Sequence, residues 1–166
     1  IELGAGDDIA FGAGDADVID GGGDNDFIVG GGGVDVLSGG SGIDIILGGT
    51  GADTIDGGSG IDFLLGEEGA DVFLFSSTGD SPTGGDITSI LDFEQGADII
   101  DLYSIETSIA FLGDAAFSGG GGAELRTTNV GEVLSIVDFD VDGNGTSDLQ
   151  LLVYGAIDMT RADFGL

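Results

Sequence analysis

A nine-residue unit, Gly-Gly-x-Gly-x-Asp-x-apolar-x, recurs along the first half of the chain and restricts it to a repeat architecture. Residues 30–38, 39–47, 48–56 and 57–65 follow the plan in full. Residues 3–11, 12–20 and 21–29 precede them, with Asp15 and Asp24 in place of the fourth glycine and Leu3 and Ala13 in place of the first and second. Residues 66–74 form a worn last copy. The glycine-rich half of each unit can take open and left-handed turns that other residues resist. The last three residues, such as Ile45-Ile46-Leu47 or Phe63-Leu64-Leu65, favour extended structure. One unit therefore predicts one turn and one short strand, and two units complete a coil of eighteen residues. Stacked at the ~4.8 Å strand spacing, the coils give two parallel sheets back to back.

This geometry predicts which residues meet. Asp8, Asp26, Asp44 and Asp62 fall in one column, and Asp17, Asp35, Asp53 and Asp71 in another. Asp80, eighteen beyond Asp62, is the candidate to close the first column. Carboxylates stacked ~5 Å apart repel by several kcal/mol at intermediate dielectric unless a cation lies between them. Calcium between adjacent turns would take an aspartate oxygen from each and the turn carbonyls of Gly31, Gly33, Gly40, Gly42, Gly49, Gly51, Gly58 and Gly60. The eighth position, expected to point inward, reads Ala10, Ile19, Ile28, Leu37, Ile46, Ile55, Leu64 and Phe73. A flexible linker has no need of that apolar column. A phosphate-binding loop is excluded because no Gly-Lys-Ser/Thr follows and the aspartates would repel phosphate. Outward residues of one sheet are Ile9, Phe11, Phe27, Val29, Ile45, Leu47, Phe63 and Leu65. So much apolar surface predicts a cover, most simply the chain's own second half, otherwise an upstream domain or a second molecule.

Charge leads to the same ligand. Asp and Glu number 32 against two arginines, Arg126 and Arg161, for a formal charge of -30. Yet 41% of residues are hydrophobic, unlike an acidic disordered tail. Nucleic acid is excluded as a partner. A basic protein or a bound hard cation remains, and with no cysteine a small domain needs a staple other than disulfides. No apolar run reaches the ~18 residues of a membrane span, so stable membrane insertion is not expected. No signal peptide is visible and Ile1 falls inside a running repeat, so the chain reads as a piece of something longer.

The nonapeptides of residues 3–74 resemble the RTX, or haemolysin-type, calcium-binding repeats of proteins exported by bacterial type I systems. That family binds calcium through the repeat aspartate and turn carbonyls. The second half resembles the C-terminal region of serralysin-type secreted metalloproteases. The carrying stretches are Asp86-Ile87-Thr88-Ser89-Ile90-Leu91-Asp92-Phe93, Gly96-Ala97-Asp98-Ile99-Ile100-Asp101-Leu102, Ala115-Ala116-Phe117-Ser118 and Thr160-Arg161-Ala162-Asp163-Phe164. The resemblance implies a secreted bacterial protein and an ABC transporter as partner during export. It also implies an uncleaved signal in the last ~50 residues, of which Asp163-Phe164-Gly165-Leu166 is similar to the family's acidic-then-apolar tail.

The fold expected is all-β: a parallel β-roll, a two-sheet solenoid of nonapeptide repeats, over residues 1–75, then an antiparallel β capping unit with the secretion signal over 76–166. Strands are predicted at 85–93, 98–102, 124–127, 132–139 and 149–154, with 110–117 ambiguous, and a last short helix capped by Thr160. Asp140, Asp142, Asn144 and Asp148 follow the spacing of single-loop calcium sites, although no Glu stands at the twelfth position and a polar hairpin turn has the same composition. Without histidine or cysteine, zinc hydrolysis and histidine-based nucleophilic catalysis cannot reside here. Identical aspartates in every coil suit a cation ladder, not catalysis. The expected function is a calcium-binding module, unfolded in the cytosol and folded by extracellular Ca2+, that supports export and folding of an upstream domain. Alternatives are an S-layer, adhesin or biofilm component, which ordered arrays would favour, and an accessory module of a polysaccharide-active enzyme, which glycan binding would reveal. An ice-binding roll would need a Thr and Asn ladder where this chain has Ile, Phe and Leu.

Overall fold

The computed structural model of the chain describes residues 1–166 except 82, 84–86, 103, 107 and 157. Gly85 and Asp86, the start of one expected strand, lie outside the described residues. The repeats form strands β1 (Glu2–Ala5), β2 (Ile9–Ala13), β3 (Val18–Gly23), β4 (Phe27–Gly32), β5 (Val36–Gly42), β6 (Ile45–Thr50), β7 (Thr54–Gly60), β8 (Phe63–Glu68) and β9 (Val72–Leu74). Odd strands pair in one sheet and even strands in the other. All these pairings are parallel, with Ile9 opposite Phe27, Phe27 opposite Ile45 and Val36 opposite Thr54. The offset of eighteen residues is the one that two nonapeptides per coil require.

Eighth-position side chains fill the space between the sheets. Ile28, Ile46, Ile55, Leu64 and Phe73 are fully buried, and even the small Ala10 is 4% exposed. Each residue two positions before this apolar one is the repeat aspartate, so burying the apolar column also draws the aspartates against the turns.

The roll continues past the repeats by one irregular coil. β10 (Ser89–Ile90) lies parallel to β8, and β11 (Ile99–Asp101) parallel to β9. The eighteen-residue offset has lengthened to 26 between Asp62 and Thr88 and to 27 between Asp71 and Asp98. The expected strand over 85–93 is a strand only at Ser89–Ile90 within its described part. Beyond it come β12 (Ala110–Gly113), β13 (Glu124–Asn129), β14 (Leu134–Asp140) and β15 (Leu149–Tyr154). β13, β14 and β15 form an antiparallel meander, and β12 adds to β13 in parallel. A 3₁₀ turn at Arg161–Phe164 closes the chain; the Asp163 carboxylate accepts the Thr160 N–H at 2.7 Å, and Phe164 is buried beside Phe111. Arg126 donates to the buried carboxylate of Asp138 at 3.0 Å and lies over the ring of Phe117.

One expectation is corrected. The second half does not cover the apolar outer face of the even-strand sheet. β15 pairs in parallel with β10, so the meander extends that sheet edge to edge into nine strands. Ile9 stays 68% exposed, Phe11 64%, Ile45 40% and Phe63 38%. β10 pairs with the edge of β8 and β15 with that of β10, so the backbone N–H and C=O groups along that edge are met by strand addition.

Candidate metal centre

Each repeat aspartate follows a glycine turn and points along the stack. From Asp26 onward, its Oδ1 accepts the backbone N–H of the aspartate one coil earlier. Asp26 accepts from Asp8 at 2.8 Å, Asp44 from Asp26 at 2.8 Å and Asp62 from Asp44 at 3.0 Å. In the other column Asp35 accepts from Asp17 at 2.8 Å, Asp53 from Asp35 at 2.8 Å and Asp71 from Asp53 at 2.9 Å. Both columns stand in the expected register.

The second carboxylate oxygen is the unusual one. Oδ2 of Asp26, Asp35, Asp44, Asp53, Asp62 and Asp71 is buried and has no hydrogen-bond donor. A buried carboxylate oxygen without a partner is costly. Each points to the first glycine of its own unit and occupies the place where a Cβ there would stand: that of Gly39 would meet Asp44 Oδ2, and that of Gly48 would lie 2.7 Å from Asp53 Oδ2. The carbonyl oxygen of the first glycine one coil on reaches the same spot, Gly57 for Gly39 at 2.7 Å and Gly66 for Gly48 at 2.8 Å. A bare carboxylate oxygen beside an inward carbonyl is the donor set of a hard cation, and the residues present fit calcium.

Of the carbonyls expected to line the columns, those of Gly31 and Gly40 face Gly49 and Gly58 of the next coil, and those of Gly33 and Gly42 face Gly51 and Gly60. Gly42 O also accepts the Ile61 N–H at 3.3 Å, and Gly60 O lies 3.5 Å from Thr88 Oγ1. Gly49 and Gly58 sit in strands β6 and β7, and Gly51 just beyond β6. The first-position carbonyls of Gly48, Gly57 and Gly66 were missed by sequence reasoning. The signal was available, since a first glycine kept in every copy after the one that begins at Leu3 marks a place with no room for Cβ.

Electrostatics make the columns sensitive to what neutralises them. Burial foremost, then neighbouring carboxylates, raises Asp62 to about 7 and Asp71 to about 6, against the hydrogen bonds they accept. Burial likewise raises Asp44, Asp53 and Asp98.

Asp80 does not continue the first column. Its carboxylate accepts the N–H groups of Ser76 at 2.7 Å and Ser77 at 2.8 Å, closing the turn at Thr78–Asp80. The Asp62 N–H instead donates to Thr88 Oγ1 at 3.0 Å. Once the period lengthens, the residue eighteen positions on no longer lies in the next coil. The second column ends on Asp98, whose Oδ1 accepts the Asp71 N–H at 3.0 Å. Gly96-Ala97-Asp98-Ile99-Ile100-Asp101 repeats the plan of Gly51-Ala52-Asp53-Thr54-Ile55-Asp56, and Ile100 is buried as Ile55 is. That half-unit was the sequence signal for the extra rung.

Among the described residues, Asp140, Asp142 and Asp148 bring carboxylate oxygens within 4.8 Å of one another. Their oxygens already take loop N–H groups. Asp140 accepts from Gly143 and Gly145 at 2.7 Å, Asp142 from Asn144 at 3.0 Å and Asp148 from Val141 at 2.8 Å. Asn144 turns its side-chain oxygen to the N–H of Thr146 at 2.8 Å.

A family model of the RTX calcium-binding nonapeptide repeat in four copies matches residues 2–37 and again 38–73. Among curated proteins nothing matches the chain. The AlgE6R2 subunit of the Azotobacter vinelandii mannuronan C5-epimerase, solved in solution, is 23% identical with a TM-score of 0.53, over 96% of this chain and 91% of that one. The AlgE6R3 subunit of that epimerase is 26% identical with a TM-score of 0.38, over 92% of this chain and 79% of that one.

Proposed function

Because residues 2–73 belong to the family of RTX calcium-binding nonapeptide repeats, we propose that this chain is a calcium-operated folding and export module of a secreted bacterial protein. The ligands are Asp8, Asp17, Asp26, Asp35, Asp44, Asp53, Asp62 and Asp71 with the turn carbonyls. The single observation that carries this assignment is the set of six buried, donorless Oδ2 atoms. Only two basic side chains exist to answer 32 acidic ones.

Calcium supplies positive charge between the rungs; the chain supplies the rest. The glycine turns hold carbonyls inward and the apolar column fixes the stacking distance. Where calcium is scarce, as in a cytosol, repulsion along the columns opposes closure and the chain stays extended enough for a narrow export channel. Outside the cell, binding free energy becomes folding free energy, about 2.7 kcal/mol for a site at one hundred times its dissociation constant. Several sites in series would make the transition steep. Folding at the channel exit hinders backsliding and offers an upstream domain a structured neighbour. The partners are thus the ABC transporter of a type I system during export and the rest of the same polypeptide.

Circular dichroism and hydrodynamic radius against free calcium test this directly. The expected outcome is an expanded chain in excess chelator and a compact β structure at millimolar calcium. A chelated chain as compact and as structured as the calcium form would overturn it. The export arm fuses the chain to a reporter in cells with and without a type I channel; medium levels that ignore the channel would remove the secretion role while leaving calcium folding intact.

A further inference from the structure

The two outward rows of the even-strand sheet do not stop at the last repeat. Phe63 stands opposite Ser89, Ser89 opposite Leu152 and Leu152 opposite Ile136. In the second row Leu91, two residues after Ser89, follows Leu65, and Tyr154 stands opposite Leu134. Leu91 and Tyr154 are exposed, as Phe63 is, while Ile90 and Val153 face the core and are fully buried. Strand alternation thus carries one apolar face from the roll into the meander without a break. Seven strands, from β2 to β14 in sheet order, bear this strip. At the ~4.8 Å strand spacing it is roughly 29 Å long, and its two rows lie ~7 Å apart. Acidic side chains border it: Asp7 two residues before Ile9, Glu67 two residues after Leu65 and Glu132 two residues before Leu134, all exposed. Arg126, on the neighbouring β13, is held by the Asp138 carboxylate at 3.0 Å.

We propose that this strip is the docking surface for a basic amphipathic α-helix of a partner protein. Dimensions select a helix: about 20 residues span ~30 Å, and a helix with its side chains is ~10 Å across, enough to cover two rows and no more. The identical register of the coils keeps the rows straight, so one rod can follow them. Charge selects the flanks of that helix. With 32 acidic residues against two arginines, lysines and arginines beside the helix's apolar stripe would meet acidic margins on both sides of the strip. A second copy of the chain would bring another charge of -30 against this one, and an anionic membrane would be repelled in the same way. The surface exists whenever the sheet is folded, whether or not the chain serves export. It spans both halves of the chain, so neither the repeats nor the meander presents it whole.

The probe is a synthetic peptide of about 20 residues with leucine on one helical face and lysine on the rest. It is titrated into the full chain in saturating calcium and followed by fluorescence anisotropy and by its own helical circular dichroism. The peptide should bind and become helical. A scrambled peptide of the same composition, and one with glutamate for lysine, should each bind at least about tenfold more weakly. Phe63→Ser in the roll and Tyr154→Ser in the meander should each weaken binding about tenfold. Equal binding of the scrambled peptide would reduce the effect to bulk charge and overturn the proposal, as would two folded variants that bind like the unmodified chain. A dimer of the free chain that Phe63→Ser disperses, or binding to phospholipid vesicles that the same variant abolishes, would give the strip to a second copy or to lipid and also overturn it. Should the variants fail to fold, a spin label at the centre of the peptide decides on the unmodified chain: broadened NMR signals at Phe63, Leu91 and Tyr154 are expected, and broadening confined to the glycine turns overturns the proposal.

Discussion

The second glycine of each full repeat has a positive φ, 106° at Gly31 and Gly40, 112° at Gly49 and 81° at Gly58. At Gly49 a Cβ would also fall on the carbonyl oxygen of Gly31, one coil earlier, and 2.7 Å from its carbon. Backbone cannot step aside as a flexible side chain can. Gly49→Ala should cost about 1–3 kcal/mol from the backbone conformation alone, with the clash added. Ala13 occupies the equivalent position in an early copy at φ 98°, so Ala13→Gly should stabilise by about 1 kcal/mol. Thermal unfolding in saturating calcium checks both; a neutral Gly49→Ala would mean that the turn has more latitude than its geometry allows. The sequence made these glycines legible because repetition isolates them. It could not show which carbonyl each one faces, since that depends on the register between coils.

At the level of strands, alternation sorts residues into inside and outside with little ambiguity. All eight eighth-position residues are buried, and the neighbours of each point away. Phe73→Ala should cost about 3–5 kcal/mol, because the ring is fully enclosed and packs 6.2 Å from Phe93. Phe11→Ser should change stability by under ~1 kcal/mol, because Phe11 is 64% exposed and meets Phe27 only edge-on. Urea unfolding in calcium separates the two, and a large loss from Phe11→Ser would mean that the outer face is covered in solution. Periodicity says which way a side chain points but not what lies opposite. That is why the apolar face was legible and its expected cover was wrong. Among the strands after residue 75, those of the meander were read within a few residues, whereas Ser89–Ile90 is too short to advertise itself and exists because β8 and β15 flank it.

For the whole molecule, a charge of -30 on a core this regular makes protons and calcium competitors for the same carboxylates. Asp62 and Asp71 are raised to about 7 and about 6, chiefly by burial. Their folded values lie above the unfolded ones, so the folded state binds more protons. That stabilisation is complete below about pH 4, the ordinary carboxylate value, and is lost as pH rises through 6 to 7. In chelator, circular dichroism should therefore show more β structure at pH 5 than at pH 7.5, while calcium affinity should fall over the same acid range. A chelated chain equally unfolded at both values would remove proton substitution. The sequence by itself determined the coil, the apolar column and the two aspartate ladders, because a strict period of nine forces like residues to coincide wherever two units close a turn. Only the tertiary structure decided how the ladders end, on Thr88 in one and Asp98 in the other, and that the second half continues a sheet instead of shielding it. Those outcomes depend on which unpaired edge and which bare carboxylate a non-repeating segment can reach, and no local pattern encodes that distance.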